Sequence, residues 1–490
     1  MASYDRLSGL DELFLGFETA NAYMHVAVTA VFERGPLCKP GGGVDIERLR
    51  QHVATRLPGL PRFRQRIGYL PLVRDAMWVD DDRFDLVHHV RHASLPRPGS
   101  SAQLRQRCAE ILERPLNRRR PLWEMWAIEG LADDAFALVV KVHHCVVDGI
   151  AGIGVLAALL DVEAAPAPGV VVPWRPRRPP TTRELMRDEV ARRMRGTLAA
   201  GRAMGQALTD PVGGVGQIGS AAKSLWRLLR TGLSPAPMMC INRPLGPHRE
   251  LAWLALDLER VKAIRRRLEG TVNDIVLTLV SGALGSVLRR RGELPRGEPL
   301  RAAVPVSVRT AEEIGAPGNR VSIWLVPLPV ADRNVRRRLA TIRATTAELK
   351  RGGQAAGGSV LAEAANWAGG AVVEAAARVI NATRIYNLIV TNVPGPAVPL
   401  YLGGSRMREV YPHLPLFEQQ GIGIALLSYL GTLYVGITAD WNLSDVLGEL
   451  TERFESGFAE LAEVAGLDDD AGPAHRPATV VGIWRQGVSS

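Results

Sequence analysis

The sequence predicts a mixed α/β protein built as two sandwich lobes, and three observations carry that prediction. At 490 residues the chain exceeds what one ordinary core accommodates. Strand-like and helix-like patterns are interleaved in both halves, as layered α/β lobes require. A breaker-rich, arginine-rich stretch divides the halves. Hydrophobic residues make up 47% and charged residues 22%, the balance of a folded rather than a disordered chain.

In the first half, AYMHVAVTAVFE alternates with period two, the mark of a half-buried strand, and DIERLRQHVATRL has helical spacing. AFALVVKVHH is a continuous apolar strand, and GIAGIGVLAALLDVE is a helix after it. The second half opens with the strand ELAWLALDL and the helix LERVKAIRRRLEG, which ends at Gly270. TVNDIVLTLVSGALGSVLRRR is a long apolar helix whose Thr271 and Asp274 have capping-box spacing. Strands LRAAVPVSVR and RVSIWLVPLPV, the helix VRRRLATIRATTAELKR and the strand YNLIVTNVPGP follow. A hairpin, IGIALLSYLGTLYVGITAD, and a closing helix, SDVLGELTERFESGFAELAEVAG, complete the pattern. The expected segments are a first lobe over 1–165, a linker over 166–240, a second lobe over 241–466 and a mobile tail over 467–490.

The four cysteines (Cys38, Cys108, Cys145, Cys240) are scattered without CxxC spacing, so neither a disulfide framework nor a zinc knuckle is expected, and a reducing cytoplasm fits them. The N-terminus lacks the basic-then-apolar order of a signal peptide. The most apolar stretches, such as Gly149 to Leu160, fall short of the ~20 residues that span a bilayer. The expectation is a soluble or peripheral protein. Of the net charge of +10, most lies between Arg175 and Arg230, where eleven arginines and one lysine face four carboxylates. Two helical stretches there, ELMRDEVARRMRGTLAAGRAM and SAAKSLWRLLRTGL, resemble basic amphipathic segments that lie on anionic lipid. The alternative is a connector that packs across the lobes and solvates its arginine face. Nucleic acid is not expected, because the stretch has few aromatics and no binding motif.

The chemistry concentrates in KVHHCVVDGIAGIG, residues 141–154. A metal site is disfavoured: adjacent strand residues point to opposite faces, so His143 and His144 cannot share one ion, and no nearby Cys or Glu adds ligands. A general base fits better, since an imidazole at a strand end is exposed to a substrate and takes a proton from a hydroxyl near neutral pH. Asp148 lies four residues on, before Gly149 turns the chain into a helix, and is placed to orient the loop by binding a cation. A histidine pair that merely hydrogen-bonds at a strand end stays open from spacing alone. The other pair, His88-His89, has no following Asp-Gly and reads as structural or surface. No GxSxG elbow, P-loop or dinucleotide fingerprint occurs, and a Cys145 nucleophile would want its base across space rather than next in chain.

HHCVVDG (His143 to Gly149) resembles the HHxxxDG signature of CoA-dependent acyltransferases, a superfamily that includes peptide-synthetase condensation domains. RLSGLDELFLGFETANAYMHV, PLWEMWAIEGL (121–131), TVNDIVL (271–277), VPVSVR (304–309), GNRVS (318–322) and TNVPGP (391–396) resemble, in order, the bacterial wax ester synthase/diacylglycerol acyltransferase family. Within that family the chain resembles the mycobacterial triacylglycerol synthase branch. Thr391 stands where Ser is common, which keeps the hydroxyl. The resemblance implies two chloramphenicol-acetyltransferase-like lobes with the active site in a tunnel between them. It also implies transfer of a long acyl group from acyl-CoA, a substrate rather than a cofactor, to a diacylglycerol or a fatty alcohol. His144 then carries over as general base, His143 as its supporting neighbour, and Asp148 as a structural carboxylate paired with a first-lobe arginine, for which Arg64 is the candidate. Asn273 and Asp274 match a pair that brings second-lobe groups toward the site, and Pro121, Leu122 and Trp123 match a structural or pocket-lining motif. No metal or cofactor is implied. The partners implied are acyl-CoA, the acceptor lipid and, through 175–230, an anionic membrane or lipid-droplet surface, with a cytoplasmic, peripheral location. The rivals are a condensing acyltransferase fed by a carrier protein and a non-catalytic lipid-binding protein. His143 and Asp148 also satisfy the HxxxxD of glycerol-phosphate acyltransferases, without support from the wider context.

Overall fold

The computed structural model describes residues 4–70, 75–146, 153–167, 169–192, 194, 235–307, 321–351 and 370–467. The first half runs through β1 (Asp5–Arg6), α1 (Gly9–Gly16), β2 (His25–Glu33), α2 (Ile46–Arg56), β3 (Gln65–Tyr69), β4 (Ala76–Asp80) and β5 (Val90–Ser94). It continues with α3 (Ser101–Leu112), β6 (Trp123–Glu129), β7 (Ala135–His143) and α4 (Ile153–Leu159), and then a helix over 182–192, α5. The second half holds β8 (Arg249–Asp257), α6 (Leu258–Arg267), α7 (Val272–Arg290), β9 (Leu300–Ser307), β10 (Val321–Leu328), α8 (Val335–Arg351) and α9 (Gly370–Ala382). It ends with β11 (Leu388–Val393), β12 (Tyr401–Leu402), β13 (Ser405–His413), β14 (Ile422–Tyr429), β15 (Thr432–Asp440) and α10 (Ser444–Val464).

Two six-stranded sheets, ordered β12-β13-β2-β7-β6-β5 and β10-β9-β11-β14-β15-β8, form the two lobes, and a small β1-β4-β3 sheet flanks the first. β7 lies between β2 and β6 and is apolar almost throughout because both its faces are covered. Its one buried cation, Lys141, donates to Ile111 O (2.8 Å) and Arg114 O (2.9 Å) at the C-terminal end of α3, where the helix dipole favours positive charge.

The second sheet is packed on both sides, and period-two alternation sorts its residues. In β8, Leu254 and Leu256 face the core built with α6, α7 and α10, while Leu251 and Trp253 join the first lobe's core. β15 divides the same way, with Val435 and Ile437 in the second core and Tyr434 in the first. α7 is long and apolar enough to cross a bilayer, yet 72% of its apolar window is buried in protein, so it is a core helix.

The lobes do not divide at one point in the chain. Residues 401–413, expected in the second lobe, form β12 and β13 of the first lobe's sheet, with β13 antiparallel to β2. The crossing buries apolar surface between the sheets: Trp253 stacks on Tyr411 (4.6 Å between centroids), and Tyr434 meets Tyr411 edge-on. Gly436 makes this approach possible, since a Cβ there would come within 1.8 Å of Pro412 O.

Candidate active site

The site grows from the ends of two paired strands. His25 on β2 lies directly opposite His143 on β7, and the ladder finishes there with His143 N–H donating to Leu122 O (2.9 Å) and His144 N–H to Met24 O (2.8 Å). Residues His144–Val146 then turn as a 3₁₀ segment, which gives the adjacent imidazoles different surroundings.

His143 is buried and fixed on every side. Its Nδ1 accepts from the Cys145 N–H (3.2 Å), which leaves the ring proton on Nε2. Nε2 lies 3.2 Å from Glu18 Oε1, outside hydrogen-bonding alignment, so the pairing is chiefly electrostatic. The His25 ring stands edge-on at 5.9 Å. Glu18 is the hub: Oε1 also accepts the Met24 N–H (3.1 Å), and Oε2 accepts from the Arg118 guanidinium. Burial pushes the Glu18 carboxyl up, but His143, Arg118 and His25 outweigh it and hold the group at about 2.

His144 is half-buried and its ring lies flat on Phe14 of α1, 3.8 Å between centroids with 21° between planes. Its Nδ1 is buried with no hydrogen-bond partner in another of the described residues. Burial, then the charge of His143, lower its affinity for a proton to about 4, against a small opposing pull from its own backbone carbonyl. At neutral pH this imidazole is uncharged and able to accept a proton. Cys145 is buried and its thiol is pushed well above the usual range by burial, which is the opposite of an activated nucleophile.

Asp148 and Gly149 lie outside the described residues. Arg64 is buried with its guanidinium 4.2 Å from the centroid of the Trp174 ring, and Asp80 is its charged neighbour. Trp174 itself donates to Asp81 O (2.8 Å), and Arg177 grips Asp80 through two nitrogens (3.1 and 2.9 Å). Arg64 thus clasps the start of the linker against the small sheet. Leu122 and Trp123 are buried: Leu122 supplies the carbonyl that ends the β7 ladder, while the Trp123 indole donates to Phe63 O (2.8 Å). Pro121 closes the turn before them through its carbonyl, which accepts the Trp123 N–H. His89 is structural, stacked on Trp123 and bonded to its carbonyl (2.8 Å).

Asn273 and Asp274 separate in role. Asp274 is buried as the N3 residue of the α7 capping box: Oδ2 accepts the Thr271 N–H and hydroxyl (both 2.8 Å), and Oδ1 accepts the Thr346 hydroxyl (2.8 Å). The Asn273 side-chain Oδ1 accepts from Asn392 Nδ2 (2.8 Å), tying the Asn-Asp motif to the TNVPGP strand β11. Neither side chain hydrogen-bonds to the histidine pair. Glu18, Arg118, His25 and Phe14 were not singled out from the sequence. The available signals were the odd acidic residue closing the apolar run FLGF and the histidine of MHV.

Comparison with known proteins places this site in context. Residues 7–276 match the wax ester synthase/diacylglycerol acyltransferase catalytic domain, and residues 317–462 match the WS/DGAT C-terminal domain. The chain is 34% identical over 472 residues to the diacylglycerol O-acyltransferase tgs1 of Mycobacterium tuberculosis, covering 94% of this chain and 96% of that one. It is 29% identical to the O-acyltransferase WSD of Acinetobacter baylyi, with 95% and 98% covered. Among solved structures, the wax ester synthase/diacylglycerol acyltransferase from Marinobacter aquaeolei VT8 superposes with a TM-score of 0.67 at 25% identity, covering 94% of this chain and all of that one. The starter condensation domain of rhizomide synthetase shares the fold at 12% identity, with a TM-score of 0.57 and 95% of each chain covered.

Proposed function

The chain belongs to the wax ester synthase/diacylglycerol acyltransferase family, and we propose that its chemistry runs through His144 as general base. It is an O-acyltransferase that moves a long acyl group from acyl-CoA to the hydroxyl of a diacylglycerol or a long-chain alcohol. The observation that carries the assignment of the base is the contrast between the paired histidines. One imidazole is sealed and pinned by Glu18 and the Cys145 N–H; the other is uncharged, half-buried and without a hydrogen-bond partner in another of the described residues.

In this mechanism His144 Nε2 takes the proton of the acceptor hydroxyl while that oxygen attacks the thioester carbonyl. The tetrahedral adduct collapses by breaking the C–S bond, the ester remains, and the sulfur of CoA takes the proton back from His144. His143 keeps out of the proton path and holds the strand end in place. A neutral base suits the forward step, because a proton already on the ring would block it.

Peripheral attachment to an anionic lipid surface is part of the same proposal. On α5, Met186 and Val190 are 44% and 57% exposed one turn apart, with Arg183 and Arg187 beside them. An apolar stripe with arginine flanks suits an acidic headgroup layer. Sedimentation with phosphatidylglycerol vesicles, but not with phosphatidylcholine ones, is the result expected. Equal recovery with both would remove this part.

The function itself is tested by free CoA release from palmitoyl-CoA with dipalmitoylglycerol or hexadecanol. Acceptor-dependent release is expected, and the better acceptor identifies the physiological one. If neither acceptor raises release above the acceptor-free rate, the choice reverts to a carrier-bound acyl donor or a non-catalytic lipid-binding protein.

A further inference from the structure

A catalytic base needs its ring held in one plane, and ordinarily a hydrogen bond to the second ring nitrogen holds it. His143 has that device, in the Cys145 N–H on Nδ1. His144 does not: its Nδ1 is buried and, among the described residues, no other residue bonds to it. A terminal imidazole torsion without such a bond has a broad, roughly two-fold well. What touches the ring instead is the face of Phe14, nearly parallel at 3.8 Å.

Phe14 is itself held firmly, and largely by the second lobe. Ser8 caps α1 by accepting the Asp11 N–H, while its hydroxyl donates to the Asp11 carboxylate (2.6 Å). Two turns on from the cap, Gly16 lets α1 lie against α9, where a Cβ would come within 2.9 Å of the Ala377 Cβ. Asn381 of α9 donates to Phe17 O (3.0 Å), and Phe17 sets its edge against Phe417 (5.4 Å). Arg118 donates to Leu15 O (3.1 Å) while also holding Glu18, the carboxylate that braces His143. The helix that carries Phe14 is therefore fixed between both lobes, and its aromatic ring is the surface it presents to His144.

We propose that Phe14 is the positioning residue of the base, its stacked ring fixing the imidazole plane in place of a hydrogen bond. The proposal rests on His144 being the base. Through α1 it also makes the orientation of that base depend on the seating of the second lobe's α9.

The test compares Phe14→Leu, Phe14→Tyr and Phe14→Ala with wild type in the palmitoyl-CoA and dipalmitoylglycerol assay, with His144→Ala alongside. Leu keeps an apolar cover and removes the flat face, whereas Tyr keeps the face. Phe14→Leu is expected to lower kcat by about tenfold to 10²-fold, the scale of a misdirected catalytic group, with KM changed less than about twofold. Phe14→Tyr is expected to keep near wild-type kcat. In Phe14→Ala water reaches the imidazole, which favours its protonated form, so the acid limb of the kcat/KM profile moves to higher pH. The ionisable groups around the base, His143 beside it, Glu18 and Arg118 behind that ring and Asp11 on α1, are unaltered by these substitutions. Wild-type kcat in Phe14→Leu overturns the proposal, as do equal losses in the Leu and Tyr variants or a loss confined to KM. Activity in His144→Ala is a separate failure, that of the base assignment, and is read independently of the Phe14 variants.

Discussion

β7 ends at His143 and the chain turns at His144, and that break gives the two imidazoles different surroundings. His143 points into the protein, where Glu18, His25 and a backbone N–H meet it; His144 turns out with the 3₁₀ segment onto Phe14. Glu18 is the residue on which the inner cluster depends, and Glu18→Gln tests that. Loss of its charge leaves the Arg118 guanidinium without its counter-ion, and stability falls by about 1–2 kcal/mol at pH 7, discounted because Arg118 is partly exposed. The folded protein holds this carboxyl at about 2, below its ordinary 4.5, so its contribution is complete above pH 4.5 and is lost as pH falls toward 2. Urea melts of wild type and Glu18→Gln should therefore differ most above pH 4.5 and converge below it. A constant difference across that window would show that the effect is packing and not charge.

At the scale of elements, caps and strand ends do the positioning. The 271–274 spacing was legible as a capping box because Thr and Asp three residues apart before an apolar run have a local meaning. What the pattern does not carry is that Asp274 also accepts the Thr346 hydroxyl from α8, a contact set by tertiary packing. With both oxygens occupied in this way, Asp274→Ala is expected to lower stability by about 2 kcal/mol and to leave the KM for acyl-CoA near wild type. Chemical denaturation beside steady-state kinetics decides it, and a large KM change with unaltered stability would put Asp274 in the site instead. The apolar strand that delivers the histidines was equally legible, since its run of Val, Leu and Ala has no polar face to expose. Phe14 and Glu18 were not, because an aromatic in an amphipathic helix and a carboxylate just after it read as core and surface until the fold sets them against His144 and His143.

For the whole molecule, two lobes were predictable from length and from interleaved strand and helix patterns, but their connection was not. β13 belongs by sequence to the second half and by hydrogen bonding to the first sheet, a pairing across nearly 400 residues that no local periodicity encodes. The exchange matters for chemistry because it joins the two sheets through Trp253, Tyr411 and Tyr434. Separately, α1 bridges to α9 and sets Phe14 on the base. Everything in this architecture converges on one claim, that His144 moves the proton of the acceptor hydroxyl. The most direct test is the acceptor-dependent rate of CoA release by His144→Ala, measured on protein whose melting curve matches wild type. A fall of at least about 10²-fold is expected, the contribution of a positioned general base. A rate within a few-fold of wild type would contradict it and leave the fold standing without its base.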